Sequence, residues 1–160
     1  MDDSRIHVCI AVTPEGDRHY VTVLPPDVVF ERGLAAEAIV GVLLRPPEPG
    51  EQITSDNFAR NSVFVKFMHD VIARHAPDAP AFKEEAARQG TGWVYIIDAR
   101  TKTPTGDVPL VDILGGFQVE EGTAKPGSYW PNPNHTILSP DGFFRLNDHL
   151  HACPAASADL

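Results

Sequence analysis

The chain has 160 residues, 42% of them hydrophobic and 22% charged, which are the proportions of a globular protein long enough to bury its own core. Thirteen Lys and Arg stand against 22 Asp and Glu, giving a net charge of −9, and no basic run occurs. Nucleic-acid binding gains most of its affinity from phosphates neutralised by Lys and Arg, so this balance excludes a general nucleic-acid binder and disfavours anionic membrane surfaces.

Ile6, Val8, Ile10 and Val12 alternate with His7, Cys9 and Ala11, the period-two pattern of a strand. The turn residues of "TPEGD" lead into "RHYVTVL", and together they predict an N-terminal hairpin. Residues 28–44 read two ways: "LAAEA" favours helix, whereas Ile39, Val40 and Val42 favour a buried strand. After the loop "RPPEPGE", the capping side chains of "TSDN" and the spacing of Phe64, Phe67, Met68, Val71, Ile72 and His75 predict an amphipathic helix over 55–75. "AFKEEAARQ" predicts a shorter helix stopped by Gly90. "WVYIID" is apolar at alternate and intervening positions alike, as in a strand at the middle of a sheet. "VPLVDIL" reads as a helical turn before a strand that uses Phe117 and Val119. The predicted fold is α+β, with one long and one short helix packed on a mainly antiparallel sheet centred on 93–98. It is a single domain over residues 1–153, with 154–160 a disordered tail.

The acidic "MDDSR" differs from a basic signal-peptide start, and Cys9 and Cys153 read as unpaired thiols, so a cytoplasmic location is expected. The longest apolar run, 38–44, falls short of the ~20 residues that span a bilayer, so no membrane association is expected.

Motifs for phosphate loops, dinucleotide folds, serine hydrolases and zinc proteases are absent, and no cofactor is expected. His149, His151 and Cys153 would share one face if extended, and imidazole with thiolate suits zinc, so they form the candidate metal set. His69 and His75 lie about 600° apart around a helix and cannot share a metal. The carboxylates, Asp112 and Asp107 among them, read as solvated surface charge.

"SYWPNPNHTIL" (128–138) is stiffened by Pro131 and Pro133, which hold Trp130 and Asn132 extended. As a shaped loop it would pack its aromatics on the sheet, with Asn side chains closing local turns. As a contact surface it would present Tyr129, Trp130, Asn132, Asn134 and His135 to a partner, since Tyr and Trp carry much of the energy at interfaces.

Val94-Tyr95-Ile96, Val108-Pro109, Ile113, Gly115, Val119, Gly122 and Asn132-Pro133-Asn134 together resemble the closing half of bacterial polymorphic-toxin and ADP-ribosyltransferase-like domains. The resemblance covers about residues 93–135; His135 stands where those domains carry an aromatic. Their Glu-x-Glu or Gln-x-Glu strand is missing between Tyr95 and Val108, as is the early Arg with a Ser-Thr-Ser strand. The resemblance therefore implies a scaffold without its catalytic glutamate. The function expected is a non-catalytic interaction module with a protein partner of basic character, such as an immunity or accessory factor of a bacterial toxin system. The alternatives are a small NAD-using transferase and a zinc-binding protein. The sequence does not specify an oligomeric state.

Overall fold

The computed structural model describes residues 6–24, 26–101, 107–146 and 150. The fold is α+β, and each strand pair described below is antiparallel. The chain divides into two compact units, Met1–Phe67 with Ile137–Pro140, and Met68–Thr136 with Asp141–Leu160.

The first unit begins with the predicted hairpin, β1 (His7–Thr13) and β2 (Gly16–Thr22), paired from Thr13↔Gly16 to His7↔Thr22 without a bulge. Of the two readings of residues 28–44 the strand reading holds; "LAAEA" makes only a 3-10 turn, and the helix lies ahead of it. A short helix, α1 (Pro26–Arg32), precedes a 3-10 turn at Ala36–Ala38, and the β-branched residues then form β3 (Ile39–Leu43). The chain pairs again through β4 (Phe58–Arg60), so the sheet order is β1-β2-β3-β4. Val21 and Val40 are fully buried in this unit, and the Thr22 hydroxyl donates to the Ala38 carbonyl at 2.8 Å.

The helix predicted over 55–75 starts later, as α2 (Ser62–His75). Residues 55–57 make a 3-10 turn, and Phe58–Arg60 are drawn into the sheet by pairing with β3. The buried Asn57 side chain clamps the backbone of Arg45 instead of capping a helix. Asn61 takes the capping role, with its Oδ1 accepting from the Val63 amide at 3.2 Å. Phe64, Met68, Val71 and Ile72 are buried along α2, as their spacing predicts.

The second unit carries α3 (Pro80–Gln89), with a proline in its first turn and Gly90 at its end in a positive-φ conformation. Its strands are β5 (Gly92–Ile97), β6 (Ile113–Glu120), β7 (Thr123–Ala124) and β8 (Trp130–Pro131). β6 is the central strand, bordered by β5 on one side and by β7 and β8 on the other. The expectation of a single sheet with 93–98 at its middle is corrected on both points. Most of the pairing is split between two four-stranded sheets, and β5 borders its own. On β5, Val94 and Ile96 are buried, but Trp93 and Tyr95 are 41% and 50% exposed. Their apolar character serves an open face, where the two rings stack with centroids 6.4 Å apart. The opposite face of the sheet holds Phe117, which meets Phe82 of α3 edge-to-face at 5.2 Å.

β9 (Leu138–Ser139) belongs to the first unit and β10 (Gly142–Phe143) to the second. No described helix is long and apolar enough to cross a membrane.

Candidate functional site

Two features of the second unit bear on function: a sealed polar knot at the end of β5, and an aromatic platform on the open face of its sheet.

β5 runs out at Ile97 into Asp98-Ala99-Arg100, and the chain returns beside it through residues 109–113 and 142–145. The Asp98 amide donates to the Asp112 carbonyl and the Ala99 amide to the Arg145 carbonyl, both at 2.7 Å. Asp98 Oδ1 accepts from the amides of Arg100 at 3.0 Å and Arg145 at 2.8 Å, and Oδ2 lies 2.8 Å from His135 Nε2. The Arg100 Nε donates to Asp112 Oδ1 at 2.9 Å and stands 3.5 Å from Asp98 Oδ2. Its remaining nitrogens donate to the carbonyls of Gly142, Val111 and Thr136. One guanidinium fork thus ties four chain segments, using the several directed donors that lysine lacks.

This knot is closed to solvent. Asp98 is 0% exposed, Asp112 1% and His135 5%. A histidine hydrogen-bonded to a carboxylate is half of an acid–base device, but a general base must reach the proton that it moves. Here both partners are enclosed, and the carboxylate is spent on two backbone amides and the imidazole. Asp112, read from sequence as surface charge, is instead an interior partner of Arg100.

The five residues proposed as a contact surface separate. Asn132 is 2% exposed and serves the fold. Its Nδ2 donates to the carbonyls of Leu110 at 2.9 Å and Ile113 at 2.8 Å, and its Oδ1 closes a local turn on the Asn134 amide. His135 is withdrawn into the knot. The exposure expected of His135 is therefore corrected: its pairing with Asp98 places it inside. Tyr129 is half-buried, its ring 5.0 Å from that of Phe117. Trp130, 39% exposed, and Asn134 stand open. Successive side chains of an extended chain alternate, so Tyr129, just ahead of β8, and Trp130 go to opposite faces.

Tyr129 reaches His69 on α2, with its hydroxyl 2.6 Å from Nδ1. Burial lowers the His69 pKa to about 4, aided by the charge of His135 and opposed by Asp70. Burial also pushes the Tyr129 phenol upward. Both groups are therefore neutral at pH 7, and the phenol, the stronger acid, donates to Nδ1.

The platform is Trp93, Tyr95 and Trp130. Tyr95 is paired with Gly116 across β5 and β6, and Gly116 with Trp130 across β6 and β8, so one row of the open face reads Tyr95–Gly116–Trp130. A Cβ at Gly116 would stand 2.9 Å from the Tyr95 ring, which leans over this position. On the other face, a Cβ at Gly115 would meet the Trp130 carbonyl and the Tyr129 hydroxyl, each at 2.5 Å. Two successive glycines thus let β8 and the aromatic rings close on β6 from both sides.

Asp98 and Arg100 were not singled out in the sequence. The available signal was a carboxylate directly after an apolar strand, with an arginine two residues on. The candidate metal set His149, His151 and Cys153 lies outside the described residues, as does the 154–160 tail. Among the described residues no group of three or more His, Cys, Asp or Glu side chains is placed to hold a metal. Compared with protein-family models, curated proteins and solved structures, the chain matches none of them.

Proposed function

We propose that this chain is a non-catalytic protein-interaction module whose contact surface is the Trp93–Tyr95–Trp130 platform. The observation that carries the reading is the exposure of three large aromatic side chains on one sheet face. Aromatic residues held in place lose little entropy on binding and supply large contact areas. The polar knot supports the reading, because its histidine and carboxylates brace the chain at the end of β5.

The partner proposed is a protein segment rich in Arg or Lys. A cation over an indole or phenol face is attracted by about 0.5–2 kcal/mol, and the net charge of −9 steers such a segment towards the chain. A finer reading, an immunity or accessory factor of a bacterial toxin system, rests on the resemblance of residues 93–135 and predicts a toxin domain as the basic partner.

Trp93 and Trp130 are the two tryptophans of the chain, so intrinsic fluorescence reports on this face directly. Titration with an arginine-rich peptide should give a saturable fluorescence change that a glutamate-rich peptide of equal length does not give. The change should be absent in Tyr95→Ser with Trp130→Ser, read on Trp93. No response to either peptide, together with saturable binding of NAD, would reverse the reading in favour of a transferase.

A further inference from the structure

We propose that β1 is a self-pairing edge, and that two copies of this chain join through β1 in antiparallel register about Ile10. Among the described residues, β1 borders the first unit's sheet. Natural edge strands are blunted by charge, proline, bulges or shortness. β4, at the other border, is three residues long and ends in Arg60. β1 has none of these protections: "HVCIAVT" is seven residues long without a charged residue or a proline, and its pairing with β2 is free of bulges.

The hydrogen-bond phase of the hairpin shows which groups β1 offers. Thr13 and Gly16 flank a two-residue turn, so they form a hydrogen-bonded pair. Such pairs alternate with non-bonded ones along an antiparallel ladder. Ala11↔Arg18, Cys9↔Tyr20 and His7↔Thr22 are then bonded pairs, and the N–H and C=O groups of Val8, Ile10 and Val12 point outward. The same three residues expose their side chains, at 43%, 59% and 85%.

A second β1 laid antiparallel about Ile10 sets Ile10 against Ile10, Val8 against Val12, and Val12 against Val8. Each pair exchanges two hydrogen bonds, and each brings two β-branched side chains together on one face. On the other face Cys9 meets Ala11 and His7 meets Thr13, so no bulky pair collides. Self-complementarity of this kind is what a two-fold interface requires.

The strand itself carries no charged residue, so it offers an ionic partner nothing to pair with. Two molecules that each carry −9 repel, and a seam without carboxylates lets them approach there.

Sedimentation of the full chain should show a monomer–dimer equilibrium that shifts to monomer in Ile10→Lys, and independently in Val12→Lys. The thermal unfolding of both variants at low protein concentration should match that of the wild type. Register is tested in a Cys9→Ser, Cys153→Ser background. Ile10→Cys should cross-link with itself, because the roughly 5.5 Å Cα separation of a hydrogen-bonded pair suits a disulfide. Val8→Cys should cross-link with Val12→Cys, and neither should cross-link with itself. Dimerisation should persist in Trp93→Ser with Tyr95→Ser, since the platform lies on another sheet. A wild type that stays monomeric at high concentration, larger open assemblies, or cross-linking without regard to position would each overturn the proposal.

Discussion

Replacing Asp98 tests whether the polar knot braces the second unit. Its carboxylate accepts two backbone amides, pairs with His135 at 2.8 Å and lies 3.5 Å from the Arg100 guanidinium. In Asp98→Ala all four contacts vanish, two amides lose their acceptor and Arg100 loses one of its carboxylate neighbours. Breaking a buried ion pair from one side costs about 3–5 kcal/mol, and the orphaned amides place this variant at the upper end. In Asp98→Asn the amide oxygen retains both backbone bonds, and Asp112 still holds Arg100 at 2.9 Å. That variant loses the charge and turns a donor towards two other donors, so its cost is about 2–3 kcal/mol. Against a typical domain stability of about 5–15 kcal/mol, the alanine variant approaches the limit of folding and the asparagine variant stays measurable. Urea unfolding at pH 7, followed by fluorescence of the two tryptophans, should show a lower midpoint for Asp98→Asn with an unchanged slope. A loss below about 0.5 kcal/mol for Asp98→Asn, in the range of an ordinary surface substitution, would refute the bracing role.

His69 should make stability depend on pH. Its pKa is lowered from 6.5 to about 4 in the fold, so the folded protein binds fewer protons than the unfolded chain between these values. The stability that neutral His69 contributes is present above pH 6.5 and is lost as pH falls towards 4. Its upper bound is about 3 kcal/mol, and residual solvent access reduces this to roughly 1–2 kcal/mol. Urea unfolding at pH 7 and pH 4.5 should show a smaller pH-dependent loss in His69→Gln than in the wild type; an equal loss would contradict the assignment. The paired glycines should respond differently to alanine. Gly115→Ala meets a backbone carbonyl and should cost about 1–3 kcal/mol, whereas Gly116→Ala meets the exposed rings of Tyr95 and Trp93 and should cost under about 1 kcal/mol in the same assay.

The elements that the sequence makes legible are those whose local pattern agrees with their tertiary role. The hairpin, the apolar stripe of α2, and α3 with its glycine stop were all readable from period and punctuation. Residues 55–60 were misread because capping residues and sheet pairing compete for the same stretch, and pairing of Phe58–Arg60 with β3 wins. β5 was misread for a related reason. Trp93 and Tyr95 are hydrophobic by composition, but sequence cannot tell burial against a core from stacking on an open face. His135 and Asp98 are 37 residues apart and Arg100 and Gly142 are 42 apart, so the knot exists only once the chain has folded. Asn132 was the legible part of the loop, because its turn-closing bond is local.

The platform is tested most directly by calorimetric titration of an arginine-rich peptide into the wild type and into Trp93→Ser with Trp130→Ser. The account predicts saturable binding by the wild type and at least about a tenfold weaker affinity in the double variant, equivalent to the loss of about 1.4 kcal/mol. Equal affinity in the two proteins would contradict it, because the binding would then owe nothing to the aromatic face.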